Sequence, residues 1–253
     1  MNPIPAILYG LFGAVIGSFL NVCILRIPEG ERFVKGRSHC PACRHILRGP
    51  DMVPILSWMF LGGKCRYCHA PISIWYPAVE ALTALVFILC NASIGTNPAS
   101  MILCLFGCLL ITAAFIDGRY MYIPDGIHLC ILVLALAFLL MGQGPGLLPG
   151  LAGSALSGGF LALLCFLTKG GVGHGDIKLF LASGMLLGPG PSISAVFIGY
   201  AAAGLWYLIP LLRGRVGRKT RVAMAPFFAL SLMICALWHH QLFHWYIGLF
   251  TRI

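Results

Sequence analysis

Charge is scarce in this sequence, and acid is scarcest. Of 253 residues only seven are Asp or Glu, and 9% are charged, against 59% hydrophobic. A soluble domain carries about 25% charged residues. A water-soluble fold of this length could not hide so much apolar surface behind so little polar surface. The hydropathy also excludes a disordered chain, and with the size it excludes a secreted disulfide scaffold. No tract of low complexity and no internal repeat is evident, and no glycine-rich nucleotide fingerprint occurs. These absences leave a multi-pass membrane protein.

What is present is basic: 17 Lys and Arg give a formal net charge of +10. Nucleic acid would be the partner of so basic a soluble protein. Position argues otherwise. Apolar runs occupy Ile4–Ile24, Tyr76–Ile94, Ala99–Ile116, Ile127–Met141, Leu147–Leu167, Ile177–Leu187, Ile193–Leu212 and Ala223–Trp238. They predict an all-α polytopic membrane protein with about eight transmembrane helices. Ile177–Leu187 is clearly short for a span and is expected to begin inside the membrane, below a re-entrant or water-filled entrance. The run Leu242–Phe250 is expected at the interface. Ile4–Ile24 has no basic residue before it and no small-residue cleavage site after it, so it reads as a first span with its amino end outside. Threaded this way, every Lys and Arg except Arg252 falls on the cytoplasmic side. That includes Arg26, Arg32, Lys35, Arg37, Arg44, Arg48, Lys64 and Arg66 in the first loop, and Arg213, Arg215, Arg218, Lys219 and Arg221 in the last. The excess is therefore an orientation signal. The loops lack the interleaved aromatics of a single-strand binding surface, and no nucleic-acid partner is expected.

Seven of the 11 cysteines lie in apolar runs, where Cys acts as a small hydrophobe. The other four form two C-x-x-C pairs, Cys40/Cys43 and Cys65/Cys68, in the first loop. This is a four-thiolate zinc pattern, slightly longer than the usual ribbon spacing. A reducing cytoplasm disfavours the disulfide alternative. Four thiolates leave no open position for a catalytic water, so Zn²⁺ here would be structural. His39, His45 and His69 flank the cysteines and are expected to stay outside the metal shell.

Glu29, Glu31 and Asp51 read as ordinary loop charges. Glu80, Asp117, Asp125 and Asp176 lie in or at the ends of apolar segments, where an ionisable group is a functional candidate. Asp125 after Pro124, and Asp176 after Gly173-His174-Gly175, are also placed to cap helices. The two glycines before Asp176 would let backbone or substrate approach closely. The threading puts Asp117 and Asp176 at the same membrane face. Two close carboxylates share a proton, so one can serve as base to a water and the other as acid to a carbonyl. Physics alone leaves a structural or proton-relay role open beside this one.

Together these motifs resemble the type IV prepilin peptidases. Gly17-Ser18-Phe19-Leu20-Asn21-Val22 with Arg26-Ile27-Pro28 is similar to that family's amino-terminal signature. The Cys pairs and the intervening Val53-Pro54-Ile55-Leu56-Ser57-Trp58 resemble its cytoplasmic module, and Tyr76-Pro77-Ala78-Val79-Glu80 resembles the segment after it. Asp117 with Ile123-Pro124-Asp125, and Gly173-His174-Gly175-Asp176, match its two catalytic segments. The resemblance implies a membrane aspartyl endopeptidase with Asp117 and Asp176 as the catalytic pair, and with Asp125, Glu80, Gly173 and Gly175 in support. It implies cleavage of prepilin or pseudopilin leaders after a glycine, in pilus assembly, type II secretion or DNA uptake. N-methylation of the new amino terminus with S-adenosylmethionine would follow, linked to Gly63 and Lys64. The expected domains are a first helix over 1–25, the cysteine module over 26–75 and the protease over 76–253. One departure stands out. The family's Pro-Phe-Gly-Pro-Phe-like segment reads Ala223-Met224-Ala225-Pro226-Phe227, without the first Pro and the Gly. Helix geometry there is expected to differ, with no catalytic group lost. His174 could hydrogen-bond near the site but is expected to be a filler, and Lys178 could hold a carboxylate ionised but is expected to face anionic lipid. The rival readings are a proton-coupled transporter relaying through Asp117, Asp125 and Asp176, and a non-catalytic assembly scaffold.

Overall fold

Every apolar run of the sequence becomes a helix. The computed structural model describes residues 3–31, 38–214 and 222–250, without the side chains of 240 and 243–250. The expected basic positions Arg32, Lys35, Arg37, Arg215, Arg218, Lys219, Arg221 and Arg252 lie outside the described residues. Nine α-helices occur among the described residues: α1 Ile4–Arg26, α2 Leu56–Phe60, α3 Trp75–Ile94, α4 Pro98–Tyr120, α5 Asp125–Leu140, α6 Leu147–Leu167, α7 His174–Leu187, α8 Pro189–Leu212 and α9 Ala225–Phe250. There is no β-strand among them, only isolated bridges from His39 to Ile46 and from Lys64 to Pro71. The all-α membrane class is as expected. Five helices, α1, α3, α4, α6 and α8, are long and apolar enough to cross a membrane, while α5 and the Ala225–His239 part of α9 are shorter. At 14 residues, α7 is about 21 Å long, shorter than a hydrocarbon core of about 30 Å, as expected of a helix that begins inside the membrane. The expected interfacial run Leu242–Phe250 continues α9 beyond a break in helical geometry at Trp238.

The chain divides into two compact units, Met1–Ser100 and Met101–Ile253. In the first, α1 packs on α3 along a glycine stripe. A Cβ on Gly13 would lie 2.9 Å from Ala84 Cα, and one on Gly17 would lie 2.7 Å from Glu80 Cα. Small residues of this kind let membrane helices approach backbone to backbone. The signature residues also join the two helices: Asn21 Nδ2 donates to Tyr76 O at 3.1 Å.

In the second unit α7 is held mainly by α6 and α5. Gly153 of α6 and Gly184 of α7 meet so closely that a Cβ on either would overlap the other's backbone. Ser154 donates to Leu181 O at 2.6 Å and Ser157 to Phe180 O at 3.2 Å. Phe180 meets Phe228 of α9 edge to face at 5.0 Å, and Tyr200 of α8 meets the same ring at 5.2 Å. These contacts fix where the first turn of α7 sits.

Candidate active site and metal centre

Asp117 lies in the last turn of α4, where 72% of the apolar window is buried, against 22–39% in the other four candidate spans. Asp176 lies in the first turn of α7. Both side chains belong to residues only 8% exposed. They line one cavity of about 200 Å³ with Met121, Tyr122, Ile123, Asp125, Gly173, His174, Gly175 and Lys178. Two helix ends whose carboxylates are 59 positions apart in the sequence thus deliver them to one space.

Neither candidate cap is a cap. Pro124 and Gly173 occupy the N-cap positions, and Asp125 and Asp176 fall inside the helices. At Gly173 it is a side chain that comes close, not backbone: a Cβ there would lie 2.8 Å from Asp176 Oδ2; at Gly175 the nearest atom is Ile123 Cβ at 3.4 Å, an ordinary contact. Lys178 does not settle as a lipid-facing group, because its Nζ donates to Asp125 Oδ1 at 2.7 Å. His128, 6% exposed, brings Nδ1 within 3.5 Å of the same oxygen. Asp125 is therefore an ion-pair partner at the cavity wall, linking α5 to α7.

Sequence reasoning missed the group that holds Asp117. The N–H of Ala225, the first residue of α9, donates to Asp117 Oδ2 at 3.0 Å, and the bond is buried. Ala225 belongs to the segment that departs from the Pro-Phe-Gly-Pro-Phe pattern. Its contribution is a backbone donor, which alanine supplies as well as glycine does.

The metal-centre cysteines are brought together in the first unit. The Sγ atoms of Cys40, Cys43, Cys65 and Cys68 all lie within 4.8 Å of one another, with no histidine in the group. Cys40 and Cys68 Sγ are 3.8 Å apart. A tetrahedron with Zn–S bonds of about 2.3 Å has edges of about 3.8 Å, so the donors fit Zn²⁺ in kind and in spacing. The two halves repeat one turn. The Cys40 N–H donates to His45 O and the Cys65 N–H to Ala70 O, while Arg44 and His69 take φ of 57° just after the second cysteine of each pair. The Cys43 N–H is the largest influence on the Cys40 thiol; desolvation opposes it, the Ala42 N–H reinforces it, and the group is lowered to about 7. His45 stacks on Tyr67 with ring centroids 3.6 Å apart, joining the halves.

Asp51 is more than the ordinary loop charge it was expected to be. It accepts from Arg66 Nε at 2.6 Å, Tyr67 Oη at 3.1 Å and its neighbour Arg48 N–H at 3.1 Å. Desolvation pushes its carboxyl up, but these donors together outweigh it and hold the group below the usual carboxylate range. Glu80 sits in the first unit. It accepts the Ile55 N–H at 2.7 Å and tethers the module to α3. Gly63, with φ of +69°, packs on Trp58; Lys64 beside it is exposed.

The family model for the type IV leader peptidase family matches residues 104–208, and that for the bacterial peptidase A24 N-terminal domain matches residues 11–94. A prepilin leader peptidase/N-methyltransferase of Bacillus subtilis (strain 168) is 34% identical over 237 residues, covering 94% of this chain and 96% of its own length. The chain belongs to the type IV leader peptidase family. Two further relatives of this peptidase family bear the same name. The one from Aeromonas hydrophila is 31% identical over 94% of this chain and 92% of its own length, and the one from Neisseria gonorrhoeae is 32% identical over 91% and 90%. None of these three is named as a transporter. No solved structure matches the chain.

Proposed function

We propose that this chain is a membrane aspartyl endopeptidase that removes the leader of type IV prepilins or pseudopilins after glycine, and then N-methylates the new amino terminus. The observation that carries this reading is the convergence of Asp117 and Asp176 on one cavity, within a chain of this family. In the proposed reaction the pair shares one proton. The ionised carboxylate takes a proton from water as its oxygen attacks the scissile carbonyl, and the other carboxyl gives its proton to the carbonyl oxygen. The resulting gem-diol collapses as the leaving nitrogen takes a proton from the first carboxyl and one gem-diol hydroxyl gives its proton to the second, which breaks the C–N bond and restores the shared state. Gly173 leaves room for the Asp176 carboxylate, and Ala225 N–H orients Asp117.

We assign the first helix to 1–25, the zinc-bearing, methylation-linked module to 26–75 and the catalytic part to 76–253. The amino end lies outside, and the module and carboxylates face the cytoplasm of a bacterial inner membrane. Cys40, Cys43, Cys65 and Cys68 would hold one structural Zn²⁺. Gly63 and Lys64 would serve the S-adenosylmethionine-dependent step. Asp125, Glu80 and Gly175 act in support.

Leader cleavage in proteoliposomes tests the assignment. Asp117→Asn and Asp176→Asn should each reduce cleavage to background while the protein still inserts; normal cleavage by either refutes the pair. The mass of the cleaved product with S-adenosylmethionine present separates the second activity. Lys64→Ala should cut the leader but leave the product unmethylated.

A further inference from the structure

An apolar surface lies at the base of the cysteine module. On α2, Leu56, Met59 and Phe60 are 50%, 63% and 86% exposed, and where α3 begins Ile74 and Trp75 are 58% and 65% exposed. Leu56, Met59 and Phe60 follow i, i+3, i+4 spacing and so share one helix face. Elsewhere the module surface is mixed: Arg44, Arg48, Lys64, Arg66 and His69 are exposed beside Ile46, Met52, Val53 and Tyr67, each less exposed than Leu56, Met59 or Phe60.

The depth of α2 says what covers this face. Ile55, the residue before α2, is bonded through its N–H to Glu80. Glu80 lies five residues into α3, about 7.5 Å along the axis at about 1.5 Å per residue. With 20 residues, α3 is about 30 Å long, which matches the hydrocarbon thickness. The start of α2 is therefore level with the second turn of a helix whose whole length is needed to cross. Trp58 Nε1 donates to Ile72 O at 3.0 Å and holds the middle of α2 beside the residues leading into α3. Ile55 takes φ of 62°, a conformation that a β-branched residue adopts only when its surroundings impose it. The fold accepts that strain in placing α2 at the membrane boundary. Trp75, the first residue of α3, fits the interfacial aromatic belt.

We infer that α2 is an interfacial anchor that seats the cysteine module on the bilayer, its Leu56–Met59–Phe60 face immersed where headgroups meet acyl chains. The partner is lipid. This rests on α3 spanning the bilayer and not on the catalytic assignment.

Site-specific photo-crosslinking tests it in the full-length protein, reconstituted in phosphatidylcholine–phosphatidylglycerol vesicles. Benzoylphenylalanine replaces Phe60 in one variant, Met59 in a second and, as control, exposed Ala42 in the first cysteine turn. Zinc content shows which preparations are folded, and either test position reads the same face if the other fails. The expected result is an intact-protein mass increased by one phospholipid at 59 or 60, in severalfold higher yield than at 42. A lipid yield no greater than at 42 overturns the inference. So does an adduct at 59 and 60 to a second copy of the chain, or to added prepilin, in place of lipid.

Discussion

Asp117 accepts a buried N–H from Ala225, and that bond uses nothing of the Ala225 side chain. Ala225→Gly keeps the donor and should leave cleavage close to wild type. Ala225→Pro removes the donor at a helix position that otherwise tolerates proline. A hydrogen bond to a charged group is worth about 1.5–3 kcal/mol, so its loss should slow cleavage by roughly tenfold or more. Steady-state kinetics on the two variants decides between a backbone and a side-chain role. Gly173 makes the opposite demand, since here the side chain must be absent. Gly173→Ala would set a methyl 2.8 Å from Asp176 Oδ2. Overpacking costs about 1–3 kcal/mol, and the displaced carboxylate should lower kcat more than it changes KM. Both glycines before Asp176 stand out in the sequence. Which of them is sterically required does not, because that depends on where the carboxylate turns back.

At the scale of elements, α5 and α7 are joined at the cavity wall by Lys178 and Asp125, with His128 buried beside them. Lys178→Asp would set two carboxylates side by side and should lower both cleavage and thermal stability. Adding Asp125→Lys reverses the pair and should recover much of the loss. A double-mutant cycle measures the recovery, and independent effects would mean that the pair does not couple the helices. The sequence showed that α7 is short and begins with Gly173-His174-Gly175-Asp176. It did not show the lysine's partner, which lies 53 positions away on another helix. A lone lysine near an apolar run has a ready explanation at the lipid surface, and only the packing of α5 on α7 supplies a nearer acceptor.

Over the whole chain, the two units carry separable chemistry, with thiolates in Met1–Ser100 and the carboxylate pair in Met101–Ile253. Metal analysis of the purified protein should give one Zn per chain. Cys40→Ser and Cys65→Ser should each lose it, and unchanged content would refute the ligand set. The sequence by itself determined the membrane class, the eight apolar runs that became helices and the four-thiolate set, which follow from composition, periodicity and short-range spacing that the solvent and the metal read directly. The pair Asp117 and Asp176, 59 positions apart, was singled out by the threading and by the family resemblance. Tertiary structure alone decided which groups meet across the chain. It gave the amide of Ala225 to Asp117, Asp125 to Lys178 rather than to a cap, Glu80 to the strained Ile55, and Asp51 to both Arg66 and Tyr67. For Asp117, Glu80 and Asp51 the physical reason is the same, whereas the exposed Lys178–Asp125 pair follows from the packing of α5 on α7. A buried or half-buried polar group must find a partner, and the partner is chosen by which helices pack and by backbone atoms that a sequence does not distinguish.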